Sequence, residues 1–253
     1  MNIATRSCAE PARAHLLRRT AAEFIGTGLL VTIVVGSGIA AQRLSPDDVG
    51  LQLLENSLTT ALGLTVLILM LGPVSGAHFN PVVSIADWLL GRRAGTGLSL
   101  RDLAPYVLAQ VVGGITGTLL AGVMFYTAPA FSSNDRANTG HMVGEAVATA
   151  GLVLLIFALA RTGKGSATAA AVGAYIGAAY WFTSSTSFAN PAVTIARMFT
   201  DTFAGIAPAA VAPFIAAQLV GAAIGLVLLL GLYPTAPHTA GDVVVPQQLE
   251  NQL

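Results

Sequence analysis

The chain has 253 residues, 54% of them hydrophobic and only 9% charged, and its 12 basic and 12 acidic side chains cancel to zero net charge. Soluble domains carry about 25% charged residues, so the composition excludes an ordinary soluble enzyme and points to a polytopic membrane protein. The zero balance gives no reason to expect nucleic acid as a partner. The single cysteine, Cys8, excludes a disulfide within the chain and a cysteine metal site.

Residues 1–17 read as a basic tail. The first apolar run, about residues 18–41, has full spanning length and follows a long polar segment, so it reads as a retained span and not a cleaved leader. A loop containing Pro46, Asp47 and Asp48 leads into a second span, about 51–72. A loop at 73–79 then precedes a short helix, 80–90. At about 1.5 Å per residue it reaches only about 16 Å, half the thickness of a hydrocarbon core. A basic, Gly-rich loop (91–100) precedes a third span at about 101–126, and a polar loop follows to residue 140. Spans four and five are expected at about 141–160 and 167–183, a second short helix at 190–200 and a sixth span at 209–233. Residues 234–253 read as a polar tail.

The chain repeats itself. Ser75, Asn80, Pro81, Val83, Ile85 and Ala86 recur, 110 residues on, as Ser185, Asn190, Pro191, Val193, Ile195 and Ala196. Ala104, Pro105, Tyr106, Gln110, Gly113 and Gly117 match Ala212, Pro213, Phe214, Gln218, Gly221 and Gly225 at an offset of 108. Glu23 and Thr27 match Glu145 and Thr149 at an offset of 122. Residues 18–233 therefore form one membrane domain of two repeats, 18–126 and 141–233. Each repeat holds three spans and one half-span. Three is odd, so the second repeat enters the membrane inverted, an architecture that sets a site near the midplane from discontinuous helices. With the N-terminus inside, Arg6, Arg13, Arg18, Arg19, Arg92, Arg93, Arg101, Arg161 and Lys164 are cytoplasmic, and only Arg43, Arg136 and Arg197 are external. The positive-inside rule favours that orientation, with both termini cytoplasmic in a plasma (inner) membrane.

Asn-Pro is a good helix start: Asn caps an orphan backbone N–H and Pro fits the first helical turn. Two half-helices that begin with Asn80-Pro81-Val82 and Asn190-Pro191-Ala192, the first preceded by Ser75-Gly76-Ala77-His78, resemble the paired Asn-Pro-Ala boxes of the aquaporin and glycerol-facilitator family, the major intrinsic proteins. The resemblance covers roughly residues 18–234. It implies an all-α membrane protein with six transmembrane helices and two re-entrant half-helices, and a homotetramer with one pore per subunit. It also implies that the amides of Asn80 and Asn190 donate to a passing oxygen and interrupt proton hopping. Irregular backbone at that depth must line a cavity or be buried in protein, and two opposed helix starts repel cations while neutral solutes pass.

Intramembrane acids need partners. Glu23 and Glu145 read either as a proton relay or as braces that accept N–H bonds from the re-entrant loops. Their repeat-related positions favour bracing, the role that the resemblance also implies. His78 is a pore-mouth donor or a loop brace; imidazole does either. Small residues such as Gly26, Gly28, Gly113, Gly117, Gly221 and Gly225 suit close helix crossings. The family narrows its pore at four places, which map here to Thr60, Ala178, Ser187 and Val193. The last is almost always Arg in the family, and glycerol-type members usually place Asp next to it, where this chain has Thr194. Small or apolar residues at all four places imply a wide constriction lacking the usual Arg. Arg197, one helical turn beyond Val193, either reaches the outer vestibule or pairs with Asp201 at the surface; the pair is the favoured expectation.

No nucleophile–base or metal constellation appears in the sequence, so neither catalysis nor a cofactor is expected. The reading is a passive channel for small neutral solutes embedded in membrane lipid: water, glycerol or urea. The unusual constriction resembles that of a bacterial branch found beside arsenic-resistance functions, which adds neutral arsenicals. The alternatives are an ion- or proton-coupled secondary transporter with an inverted repeat, and a non-conducting junction or scaffold protein.

Overall fold

The computed structural model describes residues 12–92 and 95–234. Readings placed on Arg6, Cys8, Arg93 and most of both tails lie outside the described residues. Among the described residues eight α-helices follow in order: α1 (Ala12–Leu44), α2 (Val49–Ser75), α3 (Pro81–Gly91), α4 (Leu100–Met124), α5 (Thr139–Arg161), α6 (Thr168–Phe182), α7 (Pro191–Arg197) and α8 (Pro208–Leu232). Five of them (α1, α2, α4, α5 and α8) are long and apolar enough to cross a membrane. The sixth spanning helix, α6, has 15 residues and rises about 22 Å. A 3₁₀ turn, Gly165–Ala167, extends it at its start. α1 begins inside the segment read as a tail, and α7 stops three residues before its expected end.

Six spanning helices and two half-helices make this the aquaporin-like fold, and the repeat in the sequence is a repeat in space. α1 crosses α4 through Gly113 and Gly117: a Cβ at either would collide with the carbonyl of Phe24 or of Gly28. α5 crosses α8 the same way, where a Cβ at Gly221 or Gly225 would collide with the carbonyl of Ala146 or of Ala150. These four positions are repeat partners. With no Cβ in the way, backbones approach closely enough for dispersion contacts to hold the pair in lipid, where helices gain no hydrophobic drive from each other. Thr32 adds a bond across the first crossing, donating to the Gly117 carbonyl at 3.1 Å. α2 packs on α6 and joins the two halves. Both half-helices lie in the middle of the bundle, with Pro81, Val82, Pro191 and Ala192 buried.

Candidate functional site

Both half-helices start by the rule that their sequence suggests. Asn80 and Asn190 are N-caps with extended backbone, and Pro follows each at the first helical position. The Asn80 Oδ1 accepts from Val82 N at 3.1 Å; the Asn190 Oδ1 accepts from Ala192 N at 3.0 Å and Val193 N at 3.3 Å. The amide nitrogens reach the other way, into the opposite repeat. Asn80 Nδ2 donates to the Ala189 carbonyl at 2.8 Å, and Asn190 Nδ2 donates to the Phe79 carbonyl at 2.7 Å. Each Nδ2 carries two hydrogens, so each retains one after the cross-bond.

The loops entering the half-helices are wound tightly. Ala77 and Phe79 have φ of 49° and 48°, and Ser187 and Ala189 have φ of 49° and 46°. Left-handed backbone at residues with a Cβ costs on the order of 1–3 kcal/mol each, so something must hold these loops. The holders are the two buried carboxylates. Glu23 accepts from Ser75 Oγ (2.7 Å) and His78 N (3.0 Å) on Oε1, and from Phe79 N (2.7 Å) and Gln110 Nε2 (2.7 Å) on Oε2. Glu145 accepts from Phe188 N and Ala189 N, both at 2.8 Å, and from Gln218 Nε2 at 2.6 Å. Gln110 and Gln218 are visible in the repeat, but their task is not. Each amide ties a carboxylate to the half-helix behind it, Gln110 through Ser84 Oγ at 2.9 Å and Gln218 through Thr194 Oγ1 at 2.9 Å. Thr194 thus faces the protein and also donates to the Asn190 carbonyl. Aromatic rings complete the symmetry: Tyr106 packs edge-on against His78 at 5.4 Å and Phe214 against Phe188 at 5.2 Å.

One cavity of about 280 Å³ runs through this junction. Gly72, Pro73 and Ser166 border one end; Asn80 and Asn190 border the middle; Thr60, Tyr180, Val193 and Arg197 border the other end. Neither Glu23 nor Glu145 lines it. His78 borders the cavity, but its Nδ1 lies 3.0 Å from Ser84 Oγ, and its Nε2 is buried 3.9 Å from Asp87 Oδ2 without a hydrogen bond. Both ring nitrogens therefore face protein, as a brace requires.

Two expectations at the constriction are corrected. Ala178 is exposed on the outside of α6 and does not border the cavity. Tyr180, two residues on and 3% exposed, takes that wall, with its hydroxyl 3.1 Å from Thr60 Oγ1. The cavity wall beside Thr60 is therefore not made wholly of small or apolar groups. Arg197 forms no pair with Asp201. α7 ends at Arg197, so no helical register carries on to residue 201, and Asp201 instead accepts from the N–H and Oγ of Ser133, both at 2.9 Å. Those bonds hold the Asp201 carboxyl below the usual carboxylate range. Arg197 turns inward. It is 2% exposed, stacks its guanidinium carbon 3.4 Å from the centre of the Phe188 ring, and donates Nε to the Ala204 carbonyl. Ser187 and Val193 stand in the cavity wall beside it.

Two half-helices meeting head to head at a buried, partly polar cavity inside a multi-pass bundle define a membrane channel. Residues 10–189 match the family described as MIP, major intrinsic protein. The chain is 50% identical over 234 residues to aquaglyceroporin AqpS of Rhizobium meliloti (strain 1021), spanning 89% of this chain and 97% of that one. It is 33% identical over 236 residues to aquaporin Z of Brucella melitensis biotype 1, spanning 86% and 98%. The fold matches an X-ray structure of the aquaglyceroporin from Plasmodium falciparum with a TM-score of 0.62 at 20% identity, over 87% of this chain and 96% of that one. This chain belongs to the major intrinsic protein family. It is a passive channel for small neutral solutes and not an enzyme.

Proposed function

We propose that this channel passes oxygen-bearing solutes larger than water, of the glycerol and urea class and including neutral methylated arsenicals, alongside water itself. The observation that carries the reading is Val193. It lines the cavity one helical turn past Asn190, an apolar wall where an Arg would place a charge and fixed donors. A solute that must be strongly compensated for lost water gains little from that wall, whereas a bulkier, less hydrated one meets less obstruction. The similarity to a protein named an aquaglyceroporin supports the same preference. Asn80 and Asn190 are the midplane donors, each with one hydrogen beyond the cross-bond. Glu23 and Glu145 brace the loops. Their carboxylates are fully enclosed and engaged, which supports passive flow over a proton-coupled cycle. The channel works as four copies in the inner membrane with both termini cytoplasmic, an arrangement supported by the distribution of basic residues and by family membership.

The test is the solute-to-water permeability ratio in proteoliposomes, for glycerol, urea and a neutral methylated arsenical. Wild type is expected to pass the larger solutes readily, and Val193→Arg to lower the ratio by narrowing the passage. A wild type that passes water alone, or a ratio untouched by the substitution, removes Val193 from the constriction.

A further inference from the structure

We infer that Arg197 is a displaced specificity-determining residue of this channel, a cation set one helical turn outward of the apolar Val193 wall that offers its terminal N–H groups to solute oxygens. The inference rests on the reading of the cavity as the conduction path. Its motive is an arginine with no counter-ion: among the described residues no carboxylate lies within ion-pair distance of it.

An enclosed guanidinium without a carboxylate is costly unless other groups replace its water. Three successive carbonyls form a ledge beside it. Arg197 Nε donates to Ala204 O, while Arg136 donates Nε to Gly205 O at 2.9 Å and Nη2 to Phe203 O at 3.1 Å. Both guanidiniums also sit against the ring of Phe188, Arg197 at 3.4 Å and Arg136 at 5.3 Å. Ring face and carbonyl fix the Arg197 fork in one plane. Among the described residues, only Nε of that fork is hydrogen-bonded to protein. The two terminal nitrogens make no hydrogen bond to the described residues, are not among the buried unpartnered atoms, and belong to a residue that lines the cavity. Their hydrogens therefore face the passage. Arg136 differs in the one respect that matters: it clamps the same ledge but does not border the cavity.

The ligand chemistry follows. Two fixed terminal amino groups suit a neutral solute with hydroxyl or carbonyl acceptors, such as a polyol or urea, and the fixed charge opposes a cation. The passage is then graded, with an apolar wall at Val193 followed by a donor station at Arg197. The two act on different steps, steric passage and dehydration.

Wild type, Arg197→Gln, Arg197→Lys and Arg136→Gln are reconstituted in parallel. Stopped-flow permeabilities to water, glycerol and urea are measured together with sodium conductance, and thermal stability is followed in detergent. Arg197→Gln is expected to lower the glycerol-to-water and urea-to-water ratios about tenfold, the loss of one charged donor, and to admit a measurable sodium current. Arg197→Lys keeps the charge but loses the planar fork, so the ratios fall while sodium stays excluded. If the Gln variant does not fold, this Lys result carries the test. Arg136→Gln is expected to lower stability and leave the ratios within about twofold. Wild-type ratios in either Arg197 variant, or an equal shift in Arg136→Gln, overturn the inference, since the latter makes Arg197 a mere loop clamp. A wild type that passes no neutral solute overturns the channel reading itself, a distinct result.

Discussion

Replacing Glu23 with Gln keeps the shape of the side chain and removes one acceptor and the charge. Its four donors divide evenly between the two oxygens: Ser75 Oγ and His78 N on Oε1, Phe79 N and Gln110 Nε2 on Oε2. The new amide can be placed either way round. With its NH₂ on the Oε1 side, Ser75 can turn its hydroxyl and accept, but His78 N is left unpaired. With its NH₂ on the Oε2 side, Gln110 can flip to present its Oε1, which has no partner in the native protein; Phe79 N is then left unpaired. A hydroxyl can rotate and an amide can flip, but a backbone N–H can do neither. One buried N–H is therefore orphaned whichever way the Gln settles, at a cost of about 1–3 kcal/mol. For a chain of this size that is a fall of roughly 2–12 °C in Tm, at about 2–4 °C per kcal/mol. Glu145→Gln orphans Phe188 N or Ala189 N by the same reasoning and should fall in the same range. The assay is thermal unfolding of the purified protein in detergent, alongside permeability of the refolded vesicles. A Glu23→Gln protein with native stability whose transport has lost a pH dependence would refute the bracing account and make the carboxylate a titrating part of the path.

Mercurials should leave flux unchanged in the native protein, whose single thiol is Cys8; Ser187→Cys places a thiol in the cavity wall and is expected to introduce block reversed by reductant, in the same stopped-flow assay. Gly26→Ala should be among the most damaging single methyl additions, since a Cβ there would collide with the Phe79 ring. Phe79 supplies both an N–H to Glu23 and the carbonyl that receives Asn190, so a stability loss of about 1–3 kcal/mol with reduced water permeability is expected, and a fully active, stable variant would contradict it.

What could be read in advance depended on whether a residue acts locally. The half-helix starts were legible because Asn-Pro acts on the two or three residues that follow it, and because the pattern occurs twice. The crossings were legible because Gly113, Gly117, Gly221 and Gly225 keep a fixed spacing on straight helices. Tyr180 was not. Counting back from Asn190 presumes a set length for the loop between α6 and α7, and the wall of α6 that meets the cavity is decided by where Phe182 ends the helix. A surface partner for Arg197 at residue 201 presupposes a helix that in fact stops at Arg197; its partners, Phe188 and Ala204, come from the two loops on either side of α7. Gln110 and Gln218 stood in the repeat in plain sight, but contact with Glu23 and Glu145 is a property of helix crossings that one sequence does not display.

The reciprocal amide bonds at the junction also bear on the order of biogenesis. Asn80 finds its acceptor on Ala189, which is synthesised 109 residues later, and Asn190 needs the carbonyl of Phe79 in turn. The first half can insert its helices, but the tip of its half-helix must wait, with its amide and the Phe79 carbonyl exposed to whatever water occupies the nascent bundle. The second half arrives as a template already complementary to that tip and in the opposite orientation. Neither half completes these amide bonds on its own, so each tip is finished only when the other is in place, much as in the two protomers of an obligate dimer.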